Sequence, residues 1–330
     1  MSSIASYLIK SLIQKFFVFF IVITLVFLIP RLSPGTPIDY LVEDPRVPPE
    51  VKIELLRKFG LDKPIFPDQY LSFLYNFFIR FDLGYSFTYQ EPVLKIISER
   101  LIWTIILMGA AISIAIPVGI ALGLLLAWKR GTSIGYLSIS LLLFLRSFPV
   151  FWIGMILLLI FSFYLKIFPS GGSVTPGAIY SNVFEYLIDV ARHITLPIIT
   201  LSTVYIPRYT IYMRNSSLNI INEDFIWVAR AVGISPRNIL FGYVARNAIL
   251  PIMTIISIDI GFITGGAVIT ETVFSYPGVG RLIYEAVLNR DYPLLLGCFT
   301  IIVGFTLLAL TIVEMLYAVV DPRVRTRESK

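Results

Sequence analysis

Apolar runs of twenty or more residues recur along this chain, and they constrain its fold more than any other feature. A helix that crosses the hydrocarbon core of a bilayer needs about 20 mostly apolar residues. Six stretches meet that length: about Leu8–Pro30, Leu101–Trp128 with Pro117 inside, Ile134–Tyr164, Ile194–Met213, Ala248–Val273 and Leu294–Val320. The runs are continuous rather than alternating every second residue, which predicts helices and not a barrel. Composition agrees. Hydrophobic residues make up 57% of the 330, charged residues 15%, and mean hydropathy is +0.82. An average soluble domain carries about 25% charged residues. The first run is followed by Pro30-Arg31-Leu32 and not by a small-residue cleavage site, so it reads as a retained anchor.

The formal charge of +6 is spread beside the apolar runs, which fits a bilayer as partner and not nucleic acid. With the N-terminus inside, the inner segments hold Lys10, Lys15, Lys129, Arg130, Arg214, Arg230, Arg237, Arg246, Arg323, Arg325, Arg327 and Lys330. The short outer loops hold Lys166, Arg192, Arg281 and Arg290. The asymmetry predicts a multi-pass cell-membrane protein with both termini cytoplasmic. The expected divisions are 1–30, tail and first span; 31–100, an external helical cap; 101–320, a five-helix core with a cytoplasmic loop at 214–247; and 321–330, a tail. In the cap, a turn is expected at Pro34, Gly35 and Pro37. Helices are expected from Pro49 to a stop at Gly60, and over PDQYLSFLYNFFIRF with Tyr70, Leu71, Phe73, Leu74, Phe77 and Phe78 on one side.

Between the fourth and fifth runs lies EDFIWVARAVGISPRNILFGYVARNAILP, Glu223–Pro251, an amphipathic, Arg-bearing island. A helix over Asp224–Val232 is expected to stop at Gly233, and Ser235-Pro236 to start another as N-cap and first helical residue. The small Ala229 and Ala231 would let another protein approach closely, and Arg230 and Arg237 offer charge to an acidic partner. An interfacial linker with Arg on lipid headgroups explains the same spacing.

Charges inside spans mark the other candidate residues. Arg146 in the third run and Asp259 in the fifth should face the bundle interior, water or a partner. They read either as a translocation path or as a structural Arg146–Asp259 pair. Glu271, near the end of the fifth run, reads more readily as a cap on the following FSYPGVG turn. Gly261, Gly265 and Gly266 offer a small-xxx-small packing face. His193 reads as a capping or interfacial residue at the start of the fourth span. A single histidine and a single Cys298 leave little for metal or nucleophilic chemistry. No G-x-x-x-x-G-K-[ST] phosphate loop, H-E-x-x-H or G-x-S-x-G occurs, so no cofactor is expected on this chain.

The island resembles the cytoplasmic coupling loop of ABC-importer permeases, in the form found in the dipeptide/oligopeptide permease family. Glu223-Asp224, Ala229–Gly233 (ARAVG) and Ala245–Pro251 (ARNAILP) carry the likeness. Trp227 stands where the loop's name-giving glutamate is usual. Further blocks match in order: Pro34–Pro37, Leu56–Tyr70, Phe81–Phe87, then Ser147, Pro149, Phe151 and Trp152, then Gly261–Pro293 and Leu316–Arg325. The resemblance implies a type I (MetI-like) importer permease: an all-α polytopic membrane protein with six transmembrane helices and an external cap after the first. It implies a non-catalytic subunit paired with a second homologous permease as a heterodimer. Two ABC ATPase subunits that bind ATP and Mg, and an extracellular substrate-binding protein, would complete the complex. Coupling would fall to Glu223, Asp224, Trp227, Ala229, Arg230, Ala231, Gly233, Ser235, Pro236 and Arg237, and the path to Arg146, Asp259 and Glu271. Di- and oligopeptides are the implied cargo, with oligosaccharides or nickel chelates as alternatives. A secondary transporter, the rival class, would show inverted repeats, and no clear repeat is visible.

Overall fold

The computed structural model describes residues 2–32, 49–58 and 60–320. The expected turn at Pro34–Pro37, Phe59 and the 321–330 tail lie outside those residues. Among the described residues regular structure is helical, apart from one isolated bridge between Tyr85 and Pro92. The helices are α1 (Ser2–Leu32), α2 (Pro49–Lys58), α3 (Tyr70–Arg80), α4 (Val93–Trp128), α5 (Ser133–Arg146), α6 (Val150–Leu157), α7 (Val183–Ile221), α8 (Asp224–Ala231), α9 (Ala245–Gly261), α10 (Val268–Val273), α11 (Val279–Leu288) and α12 (Tyr292–Val320). Five helical stretches are long and apolar enough to cross a membrane. A sixth is reached if α5 and the Val150–Tyr164 stretch, bent by 90°, count as one span. The bend falls at Ser147–Pro149, where proline cannot continue the ladder of α5.

The chain forms two compact units, Met1–Ile102 with Gly278–Lys330, and Trp103–Pro277, and α4 runs through the boundary. In the first unit α1 packs along α12. The aromatic side of α3 is turned onto α1: Phe73 stacks on Phe27 at 5.4 Å, Phe77 meets Phe19 at 6.0 Å, and Tyr70 shares a 2.7 Å hydrogen bond with Thr24. The expected apolar face is real, except that Leu71 stands exposed. Gly60 ends α2 as read, at φ +66, where an L side chain would be strained.

A buried carboxylate anchors the stretch before α4. Asp291 accepts from Ser86 Oγ, from Thr88 N at 2.9 Å and from Leu294 N at 3.2 Å, so it also caps the start of α12. Beside it Tyr89 donates to Glu285 at 2.6 Å, and Arg281 Nε holds the other oxygen at 2.8 Å. Burial disfavours the phenolate and the hydrogen bond to Glu285 adds to it, so the Tyr89 hydroxyl is pushed up to about 12. The neutral phenol is therefore worth most below pH 10, and its contribution disappears as pH rises through about 12. Tyr89→Phe is expected to cost about 1–2 kcal/mol at neutral pH. The gap to the native protein should close between pH 10 and 12, read by thermal unfolding in detergent.

The second unit is held by close approach of α4 and α7. Ala111, Ala115, Gly119, Gly123 and Ala127 recur every fourth residue on α4 and all are buried. A Cβ at Gly119 would lie 2.5 Å from Tyr209 Cβ, and one at Gly123 2.5 Å from Met213 Cβ. This is the small-residue seam of the bundle. The seam expected at Gly261, Gly265 and Gly266 is not a helix face. α9 ends at Gly261, a short 3-10 turn covers Ile263–Gly265, and Gly266 takes φ +69, so the fifth apolar run is broken before α10. His193 is likewise not at a helix start. α7 begins ten residues earlier, capped by Asn182, and His193 is buried with Nδ1 2.8 Å from the Asp189 carbonyl.

Candidate functional site

Two features of the second unit carry chemistry: the projecting segment around α8, and the charged residues within the spans.

α8 starts after Glu223 and stops as its sequence dictates. Gly233 adopts φ +83, its N–H bonds to Arg230 O, and Ile234 N returns to Ala229 O. That is the left-handed cap glycine favours. Ser235 then caps the single turn Pro236–Asn238, accepting from Asn238 N at 3.4 Å. The two faces of α8 differ. Ile226 and Ala229, three residues apart, are buried in a cluster with Leu124, Met213, Ile239 and Val244. On the other side Phe225, Trp227, Val228 and Val232 are exposed, the last three at 62, 61 and 75%. Arg230 lies 5.6 Å from the Trp227 ring and 5.9 Å from the Trp128 ring. Asp224, Arg230, Ala231, Gly233, Ser235, Pro236 and Arg237 are all exposed. Ala229 is the correction here. It packs against the chain's own core and cannot be the small residue that admits another protein; Ala231 can.

The three charges read as a path do not come together. Arg146 is exposed in the last turn of α5. Asp259 is buried and pairs not with Arg146 but with α7: Arg208 Nη1 lies 2.7 Å from one oxygen and Tyr209 donates to the other at 2.8 Å. Arg208 keeps 35% of its side chain exposed against 7% for Asp259. Glu271 is buried. Its carboxylate accepts from Ala267 N at 3.2 Å, at the start of α10, and from Thr104 at 3.1 Å, while its carbonyl accepts Tyr276 N. The FSYPGVG turn is thus tied by the Glu271 backbone, and the carboxylate serves the other end of its helix. Arg208 and Tyr209 were not singled out from the sequence. The signal was an Arg directly after Pro207 inside an apolar run.

Among the described residues, helices with five or six candidate spans and a half-exposed amphipathic segment between two of them are the architecture of a multi-pass membrane protein. The family model described as "Binding-protein-dependent transport system inner membrane component" matches residues 119–326, and the chain belongs to that family. It is 36% identical over 304 residues to a putative peptide permease of Brucella suis, covering 91% of this chain and 93% of that one. It is 33% identical over 327 residues to the dipeptide transport system permease protein DppB of Escherichia coli K12, covering 94 and 96%. It is 32% identical over 322 residues to the oligopeptide transport system permease protein AppB of Bacillus subtilis, covering 97 and 99%. A solved structure of the MetNI methionine ABC transporter, in inward facing conformations, matches 71% of this chain and 98% of its own at TM-score 0.54 and 15% identity. That likeness establishes the importer permease fold.

Proposed function

We propose that this chain is one of two permease subunits of an ATP-driven importer of di- and oligopeptides. The observation that carries the reading is likeness along nearly the whole chain to relatives named as dipeptide and oligopeptide permeases. In this reading the chain crosses the membrane six times with both termini and the 214–247 loop in the cytoplasm, a topology supported by the excess of Lys and Arg in those segments. Residues 1–30 form the tail and first span, 31–100 the external part, 101–320 the core and 321–330 the second tail. A second, homologous permease completes the path. Two ATPase subunits bind and hydrolyse ATP with Mg, and an external binding protein delivers cargo.

The exposed side of α8 is the docking surface for an ATPase. Apolar side chains in water seek a partner, and Trp227, Val228 and Val232 form such a face, with Arg230 against the Trp227 ring and Arg237 exposed in the turn that follows. ATP-driven closure of the ATPases would move α8, and α8 is fused to the core through Ile226 and Ala229. The bundle then shifts between two states that ATP and loaded binding protein favour differently. Within the path we place Asp259 with Arg208, and Arg146 at its edge; Glu271 holds α10 in position.

Trp227→Asp should remove about 2 kcal/mol from the ATPase contact, roughly thirtyfold in affinity. Co-purification and peptide-stimulated ATPase rate in proteoliposomes read this out. Membrane insertion should be unaffected, because the residue touches solvent in the isolated chain. Unchanged co-purification would sink the docking claim. Uptake of a labelled tripeptide in the presence of the binding protein, competed by peptides but not by maltotriose, tests the cargo.

A further inference from the structure

The unit that contains α1, α3 and α12 holds a cavity of about 210 Å³ ringed by charge. Arg31, in the last turn of α1, and Lys63 contribute two cations; Asp68 and Asp82 contribute two carboxylates. These four do not neutralise one another. Among the described residues none of them takes part in an ion pair. Asp82 accepts from Gly84 N, at 2.8 Å. Arg31 is oriented without being consumed. Nε donates to Gln69 at 3.0 Å, Nη1 to the Phe27 carbonyl at 3.0 Å, and the plane lies 3.8 Å over the Phe27 ring. Nη2 has no partner. Gln69 is fixed in turn by its own bond to Lys63 O at 2.8 Å.

A guanidinium held on two sides, with its remaining donors free, is an anion receptor before the anion arrives. Carboxylates on the same small cavity supply the opposite pole. The volume is below the roughly 300–1,000 Å³ of pockets for drug-sized ligands. The geometry points to a binding site for a small zwitterion, with its carboxylate or phosphate on Arg31 and Lys63 and its ammonium on Asp68 and Asp82. A free amino acid and the phosphoethanolamine headgroup of a lipid share that chemistry. The site shares no residue with α8 or with the Asp259 pair, so it stands whether or not peptides are the cargo.

The test is calorimetric titration of the complete importer in phosphatidylglycerol nanodiscs with L-alanine, propionate, ethylamine and O-phosphoethanolamine. Saturable binding of alanine, at least tenfold tighter than of propionate or ethylamine, is expected. Arg31→Lys, which keeps charge but loses the fork, should weaken it about tenfold. Ser72→Trp, which fills the cavity from the α3 side without touching a charge, should abolish it. Displacement of alanine by O-phosphoethanolamine would support the site and name a lipid headgroup as occupant; failure to displace it would support the site and name an amino acid. Propionate binding as tightly as alanine, no saturable heat from any zwitterion, or alanine binding unchanged in both variants would each overturn the proposal.

Discussion

Gly123→Ala is expected to prevent the second unit from forming a stable bundle, although alanine is the better helix former by about 1 kcal/mol. The added carbon would sit 2.5 Å from Met213 Cβ, 2.7 Å from Thr210 O and 3.0 Å from Arg214 N. Carbon atoms in contact prefer about 3.5–4.0 Å. Two of the three neighbours are backbone atoms of α7, which no rotamer change can move aside. α4 and α7 would have to separate by an ångström or more, opening the Ala111–Ala127 seam along its length. Overpacking of this kind costs typically 1–3 kcal/mol and more when backbone must shift, so about 3 kcal/mol or above is expected. Gly109→Ala, on the same helix, is the control, because nothing lies within 4 Å of its Cβ. Thermal unfolding and recovery of monodisperse protein in detergent read the difference. If both variants melt at the native temperature, the seam is not what holds these helices together.

What could be read from residues alone follows the strength of the physical constraint. The bilayer sets a minimum length for apolar runs, so the first and sixth runs were legible to within two residues, whereas the helix of the second begins eight residues earlier, at Val93, and the third is bent by 90° within its length. The caps at Gly60, Gly233 and Ser235-Pro236 were legible because each depends on the backbone freedom or side-chain oxygen of one residue. The break after Gly261 was not, because hydropathy continues straight through Phe262 to Val268 and only Gly265-Gly266 marks it. Helix packing was read from the wrong glycines: Gly119 and Gly123 had the four-residue spacing on an unbroken helix, Gly261 and Gly265 had it across a break. The inward side of α8 was available in the i, i+3 pair Ile226 and Ala229, but an island isolated between spans gives no hint of which face meets its own core. The partner of Asp259 could not be read at all, since pairing between α7 and α9 is a matter of rotation about each helix axis, which sequence distance does not encode.

That pairing yields the second large effect. Asp259→Ala is expected to lose assembled permease, because it leaves the Arg208 guanidinium without a counter-charge and Tyr209 without an acceptor inside the bundle. Breaking a buried pair by removing one partner costs about 3–5 kcal/mol, whereas replacing both with apolar residues of similar size is often neutral. Arg208 is one-third exposed, so the lower end of that range applies. The double variant Arg208→Met, Asp259→Leu should therefore recover assembly, measured as co-purification with the partner permease and the ATPases. If the two charges also line the path, as proposed, the recovered complex should still import peptide at least tenfold more slowly than the native one, with its basal ATPase rate kept. Three results separate the possibilities. Assembly of Asp259→Ala at the native level would show that the pair contributes no structure. Recovery of both assembly and transport in the double variant would remove Arg208 and Asp259 from the path. Recovery of assembly alone assigns them both roles, because a charge pair needed only for folding is dispensable once apolar side chains fill its place.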